Sequence, residues 1–165
     1  MGAGDDIYLG NPLLKKANVQ FDFTKDQIKE YIKCKKDPVY FTRNYVKIVS
    51  LDEGLVPFNM WDFQEELIKK FHNNRFNIAK LPRQTGKSTT VVSYLLHYIL
   101  FNDNVNIGIL ANKASTARDL LARLAIAYEN LPKWIQQGVV VWNKGNIELE
   151  NGSKILAAST SASAV

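Results

Sequence analysis

The residues with the clearest capacity for chemistry lie in LPRQTGKSTT, residues 81–90, here called the phosphate loop. Backbone N–H groups and the dipole at a helix start attract phosphate oxygens, which suits the triphosphate of a nucleotide. Gly86 lets the backbone approach the phosphates without an intervening Cβ atom. Lys87 would bring a cation to the β- and γ-phosphates, and Ser88 a hydroxyl ligand for Mg²⁺. The predicted nucleotide-binding residues here are Arg83, Gln84, Thr85, Gly86, Lys87, Ser88 and Thr89.

The phosphate loop departs at its first position from the usual phosphate-binding pattern, which has two glycines. The first glycine of that pattern stands five residues before the second, which is Gly86 here, and this chain has Leu81 at that place. The competing interpretation is an ordinary strand-to-helix turn in which Lys87 is a solvated residue. A cation at a helix start opposes the helix dipole by roughly a few tenths of a kcal/mol, which disfavours that purely structural role.

Arg83 is a second candidate for chemistry in the phosphate loop. A guanidinium beside the γ-phosphate would stabilise charge that develops in the transition state, as an arginine finger supplied within the same chain. An arginine in a surface turn is the alternative, and the loop alone does not decide between the two. Arg83 and Lys87 are the predicted catalytic residues.

Strands and helices alternate around the phosphate loop. Residues 76–81 (FNIAKL) predict a short apolar strand, and residues 88–101 predict a helix that is apolar nearly all round. Residues 106–111 predict a second buried strand, and residues 115–131 a helix with leucines at three- and four-residue spacing. This β-α-β-α order predicts an α/β fold with a parallel sheet and right-handed crossovers.

The C-terminal part changes to short strands at residues 139–142, 146–149 and 154–158. Asn151-Gly152 is a strong hairpin signal, so an antiparallel hairpin is predicted beside the α/β core. The chain stops at SASAV without a capping signal, which predicts a truncated domain.

The N-terminal part predicts a helical preface. Residues 1–20 lack periodicity and predict a mobile lead-in. Thr24 is predicted to cap a helix that carries Ile28, Tyr31 and Ile32 on one face, and Asp37-Pro38 predicts a second helix start.

The main boundary is predicted in a connector at residues 50–59, which Gly54 and Pro57 interrupt. An amphipathic helix is predicted at residues 60–74. The expected domains are a lead-in with a helical subdomain at 1–55 and the first part of a P-loop domain at 56–165.

Composition bounds the class of protein. With 46% apolar residues the chain can bury a sizeable core, and its net charge of +5 favours polyanionic partners only weakly. Cys34 is the only cysteine, which excludes an intramolecular disulfide and fits a reducing compartment. No stretch reaches the roughly 18 apolar residues of a membrane span, and no signal peptide is found. His72 and His97 are predicted to be structural rather than metal ligands.

Four segments together resemble the large terminase subunit of T-even-like tailed bacteriophages, the ATPase of a DNA-packaging motor. They are WDFQ at 61–64, the phosphate loop, GILANKAS at 108–115 and VVWNKGNIELENGSKILAASTSASAV at 140–165. The resemblance implies a P-loop NTPase domain of RecA-like (ASCE) type, a parallel sheet flanked by helices. In that family the phosphate loop also lacks the first glycine and carries an arginine at the position of Arg83.

The resemblance also implies roles outside the phosphate loop. Gln64 resembles the glutamine that reads adenine through its amide, and Phe63 would flank the base, so ATP and Mg are the expected cofactors. Without the resemblance Gln64 would be an exposed helix residue. Residues 111–113 resemble a segment that faces DNA or a neighbouring subunit, although an ordinary βα loop is the alternative.

The implied activity is ATP hydrolysis that drives double-stranded DNA into a prohead in the host cytoplasm. Implied partners are the portal protein, the small terminase subunit and further copies in a ring on the prohead, with no membrane. The Walker B strand, the coupling motif and the nuclease domain of the family are not found, so this fragment alone is expected to be inactive. The alternatives are a superfamily 2 helicase or translocase ATPase, and a non-enzymatic basic binding module.

Overall fold

The computed structural model of the protein describes residues 6–50 and 52–160. Residues 1–5 of the predicted lead-in, Leu51 of the predicted connector and the tail SASAV at 161–165 lie outside the described residues. The described elements, in chain order, are β1 Ile7–Tyr8, β2 Asn11–Lys15, α1 Lys25–Lys36, α2 Pro38–Tyr45, β3 Lys47–Ser50, β4 Gly54–Pro57, α3 Asp62–Asn73, α4 Lys87–Phe101, β5 Asn106–Ala111, α5 Ala114–Glu129, β6 Val139–Trp142, β7 Asn146–Leu149 and β8 Lys154–Ser159.

The main sheet has four strands in the order β5-β8-β7-β6. β5 and β8 run parallel, with Asn106 opposite Lys154 and Ala111 opposite Ser159. β7 runs antiparallel to both β8 and β6, which confirms the predicted hairpins. The described sheet is therefore mixed, and the predicted parallel arrangement is found in the β5–β8 pair.

The hydrophobic core lies where α5 covers β5 and β8 and α4 packs against α5. Leucines and isoleucines from these helices and strands, and from β7, meet there in a buried cluster. Its fully buried members include Leu96, Leu100, Leu121, Leu124, Ile147 and Ile155. Because α4 begins within the phosphate loop, packing of α4 in this core also holds the C-terminal half of that loop in place.

The strand predicted at residues 76–81 is not found. Residues 76–82 have no regular secondary structure, and the side chains of Phe76 and Ile78 are exposed. No described strand lies beside this segment to accept its backbone hydrogen bonds, and an apolar sequence forms a strand only when it pairs with a neighbour. In the structure the phosphate loop therefore follows an irregular segment.

The predicted connector at residues 50–59 is instead half of a β-hairpin. β3 and β4 pair antiparallel, with Lys47 opposite Pro57 and Ser50 opposite Gly54. Gly54 has a φ of 73° at the start of β4, a conformation that glycine adopts without strain. Pro57 stands at the end of β4, where proline is tolerated. Both residues thus shape the hairpin instead of interrupting regular structure.

The predicted mobile lead-in also contains regular structure. β1 and β2 form a hairpin whose Leu14 is buried, and Lys16 forms a parallel bridge with Val139 of β6. The buried Gln136 side chain accepts a hydrogen bond from Lys15 N at 3.0 Å and donates to Leu13 O at 3.0 Å. These contacts attach β2 to the connection between α5 and β6, so this part of the predicted lead-in is a docked hairpin.

The helix starts of the preface are as predicted. Thr24 and Gln27 form a capping box at the start of α1. The carboxylate of Asp37 accepts hydrogen bonds from Val39 N and Tyr40 N, and Pro38 is the first residue of α2. Among the described helices, none has the length and apolar character needed to cross a membrane.

Candidate nucleotide-binding site

The phosphate loop makes a tight turn into α4. Gln84 and Gly86 have φ values of 61° and 71°, and Gly86 is the N-cap residue of α4. Gly86 O accepts the first helical hydrogen bond, from Thr90 N at 2.9 Å. The N–H groups of the residues between them, in the first turn of a helix, have no helical acceptor. The turn thus presents a set of free backbone donors at the positive end of a long helix.

Lys87 is the first residue of α4, and its side chain folds back over the loop. Its Nζ donates to Leu81 O at 3.4 Å and to Pro82 O at 3.3 Å. The ammonium group is therefore held beside the turn, and it is neither buried in a strand nor extended into solvent. A cation held next to free N–H groups makes the turn attractive to a polyphosphate.

The hydroxyl residues of the loop divide into two groups. Thr85 Oγ1 donates to Pro82 O at 3.1 Å, and the buried Thr90 donates to Gly86 O at 3.1 Å, so these two hydroxyls stabilise the loop itself. Ser88 and Thr89 are half-buried in the first turn of α4. Ser88 has no hydrogen-bond partner for its hydroxyl within the described part of the chain, which leaves that oxygen free for a metal ion.

Arg83 and Gln84 form the exposed outer side of the loop. In residues 6–50 and 52–160 the Arg83 guanidinium takes part in no hydrogen bond or ion pair. An arginine without a protein partner beside a cluster of N–H donors is available to an anion.

Gln64 lies against the phosphate loop, although 21 residues separate it from Thr85. It is only 6% exposed, so the interpretation of an exposed helix residue is not supported. Its Oε1 accepts from Trp61 N at 2.9 Å, and its Nε2 donates to Thr85 O at 3.1 Å. A Cβ atom placed on Gly86 would come within 2.6 Å of this Nε2. The start of α3 and the phosphate loop are thus in direct contact through the Gln64 amide.

Phe63 lies on the neighbouring face of α3 and is half-buried. Its ring meets the exposed Trp61 ring edge-on, with centroids 5.8 Å apart. Phe63 also lines a cavity of about 260 Å³ between α3 and residues 77–81. The structure therefore brings Phe63 and Gln64, the two residues predicted to contact the adenine base, to the N-terminal side of the phosphate loop.

One family model matches the chain over residues 78–164, and it describes the N-terminal part of the T4likevirus-type terminase large subunit. The chain belongs to the T4-like terminase large-subunit family. The matched region contains the phosphate loop, α4, β5, α5 and the strands that follow, and it begins after α3. Membership of the terminase family connects this chain with viral genome packaging and confirms the resemblance found in the sequence.

The segment after β5 in this terminase chain is a βα loop at the sheet end. Ala111 O accepts from Thr160 N at 2.8 Å, so the C-terminal ends of β5 and β8 are tied together. Asn112 and Lys113 follow and are exposed. Both parallel strands therefore end at the same edge, beside an exposed basic residue.

The two histidines lie next to one another in an aromatic cluster. Their ring centroids are 6.0 Å apart, and His97 also packs on Phe41 and Phe101. His97 Nε2 lies 2.9 Å from Cys34 O, which requires that Nε2 carry the proton and donate it. Burial lowers the pKa of His97 to about 4, so the ring is neutral. No group of three or more ligand-type side chains that could hold a metal occurs in the ranges that the structure describes.

Two charged residues near the site carry no sequence signal. Glu65 follows Gln64 and is buried, and it forms an ion pair with Arg43 of α2. The two residues are 22 positions apart and belong to no motif, so their pairing depends on how α2 packs on α3.

Proposed function

We propose that this terminase-family chain forms the ATP-binding part of a viral DNA-packaging motor. One observation carries the proposal: the turn at Gly86 leaves the first N–H groups of α4 without helical acceptors, and the Lys87 ammonium is held against the carbonyls of the same loop. This arrangement fits the β- and γ-phosphates of a nucleotide. Family membership supports the packaging role.

Each residue of the proposed site would have a separate role. Lys87 would neutralise charge on the β- and γ-phosphates, while the Ser88 hydroxyl would hold Mg²⁺. Arg83, which is free of protein partners among the described residues, would stabilise the negative charge that develops during phosphoryl transfer. Gln64 would read adenine through its amide, and Phe63 would pack against the base.

In the complete motor, ATP hydrolysis would drive double-stranded DNA into the prohead in the host cytoplasm. The proposed partners are the DNA, the portal protein, the small terminase subunit and further copies arranged as a ring. Nuclease action, which the family resemblance implies, belongs to the same proposal. The family match does not favour the superfamily 2 helicase alternative.

The test measures binding of a fluorescent, non-hydrolysable ATP analogue to the native chain and to Lys87→Ala. Removing the ammonium is expected to weaken binding by about tenfold or more, since a charge-assisted hydrogen bond contributes roughly 1.5–3 kcal/mol. Lys154→Ala, which breaks an ion pair with Glu148 on the main sheet, serves as the matched control and should bind like the native chain. Equal affinity of all three proteins would refute a nucleotide pocket at this loop.

A further inference from the structure

An ion pair joins the preface to the first turn of α3. Arg43 Nε donates to Glu65 Oε1 at 2.5 Å, and Arg43 Nη2 contacts the same oxygen. The Glu65 side chain is only 11% exposed, whereas that of Arg43 is 59% exposed. The buried carboxylate therefore depends on Arg43 for charge compensation, and losing a partner of a buried charge is costly.

The position of the pair suits both helices. Arg43 lies in the last turn of α2, and Glu65 lies in the first turn of α3. A cation near a helix C-terminus and an anion near a helix N-terminus are each stabilised by the helix dipole. The pair therefore fixes the end of α2 against the start of α3 and opposes a shift of either helix.

This fixed turn carries Gln64, the residue directly before Glu65. Each end of the Gln64 amide makes one hydrogen bond, from Trp61 N within the turn and to Thr85 O in the phosphate loop, which leaves one N–H and one oxygen lone pair for a base. A small shift of the turn would break the contact with Thr85, because a hydrogen bond weakens steeply with distance and angle. Arg43 is thus linked to the phosphate loop through Glu65 and Gln64.

We propose that Arg43 is a positioning residue that sets base selectivity: through Glu65 it holds the first turn of α3 so that the Gln64 amide faces the base of a bound nucleotide. The inference rests on the proposed function of the phosphate loop. It assigns part of the preface to the nucleotide site. The phosphates are bound by the loop's own N–H groups and by Lys87, whereas the base is read by Gln64, so loss of the pair is expected to weaken recognition of the base more than recognition of the phosphates.

The experiment uses the complete chain and three probes: fluorescent ATP and GTP analogues, and inorganic tripolyphosphate as a competitor. Arg43→Gln is expected to reduce the preference for the ATP analogue over the GTP analogue about fivefold, the lower end of typical coupling between sites. Tripolyphosphate affinity should fall less than ATP-analogue affinity. Glu65→Gln should give the same reduction, and the double variant no more, because both residues act through one pair.

Two further variants make the result decisive. Lys29→Gln breaks the exposed Lys29–Asp26 pair on α1 and should leave selectivity unchanged. Arg43→Lys keeps the charge and loses the two-nitrogen contact, so it is expected to fold and to show a smaller reduction, which keeps the test valid if Arg43→Gln unfolds.

Native selectivity in Arg43→Gln and Arg43→Lys would overturn the inference, as would equal losses of ATP-analogue and tripolyphosphate affinity, which indicate a merely structural role. If the native chain binds the ATP analogue and Lys87→Ala binds it about tenfold or more weakly, these outcomes leave the proposed function standing. Absence of binding in the native chain would remove both proposals together.

Discussion

At the scale of single residues, Gly86 has the most demanding position in the site. Its φ of 71° is unfavourable for residues with a Cβ atom, and the space where that atom would stand is filled by the Gln64 amide. Gln84 adopts a similar φ of 61° without being glycine, which adds strain to the same turn. The turn is therefore maintained by its neighbours, among them Gln64 and the Lys87 side chain.

Gly86→Ala is expected to lower the free energy of unfolding by about 1–2 kcal/mol, the cost of a left-handed conformation for a residue with a Cβ atom. The added methyl group would also displace the Gln64 amide from Thr85 and weaken binding of the ATP analogue. Urea unfolding and analogue titration measure the two effects. Gly108→Ala in β5 is the control, because its Cβ atom would meet open space. Identical behaviour of both variants would argue against the described turn.

At the scale of elements, the sequence pattern predicts the bounds of β5, β6 and β7, and it predicts α4 to within one residue. These segments have strong apolar periodicity and clear turn residues, so local chemistry and tertiary packing agree. The strand expected at residues 76–81 fails because strand formation depends on a neighbour that sequence alone does not supply. The β3–β4 hairpin was not predicted because Gly54 and Pro57 also occur in irregular connectors.

The β1–β2 hairpin gives a direct test of element docking. Leu14 of β2 is 1% exposed and its neighbour Leu13 is 47% exposed, so the two leucines differ in burial and not in chemistry. Leu14→Ala is expected to destabilise the protein by about 2–4 kcal/mol, and Leu13→Ala by less than about 1 kcal/mol. Thermal unfolding followed by circular dichroism compares them. Similar losses in both variants would show that the hairpin is not docked as described.

At the scale of the whole molecule, the candidate site depends on contacts between distant parts of the chain. The type and order of the phosphate-loop residues could be predicted, because glycine, lysine and hydroxyl residues at a helix start have a direct chemical meaning. Two contacts could not be predicted from the sequence, because they arise only when α2, α3 and α4 pack together. They are the contact of Gln64 with Thr85 and the ion pair of Arg43 with Glu65. Tertiary packing thus decides the geometry around a loop that the sequence identifies.

The buried His97 makes the stability of the whole molecule dependent on pH. Its pKa is lowered from 6.5 to about 4, mainly by burial. Between these two pH values the unfolded chain binds a proton at this histidine and the folded chain does not. This contribution to stability is complete above pH 6.5 and is lost as pH falls towards 4, by about 3 kcal/mol in total. Urea unfolding of the native chain and of His97→Phe between pH 7 and pH 5 measures it. An equally steep loss in both proteins would contradict this role for His97.

The order of strands in the main sheet bears on how the chain folds. β6, β7 and β8 are consecutive in sequence and pair through short connections, whereas β5 must find β8 across α5 and both intervening strands. Bringing two strands together across a long intervening segment costs more chain entropy than pairing them across a turn, so pairings between neighbouring strands become stable earlier in folding. We therefore expect the three-stranded meander to assemble early and the β5–β8 pairing to be the late, rate-limiting step that completes the sheet.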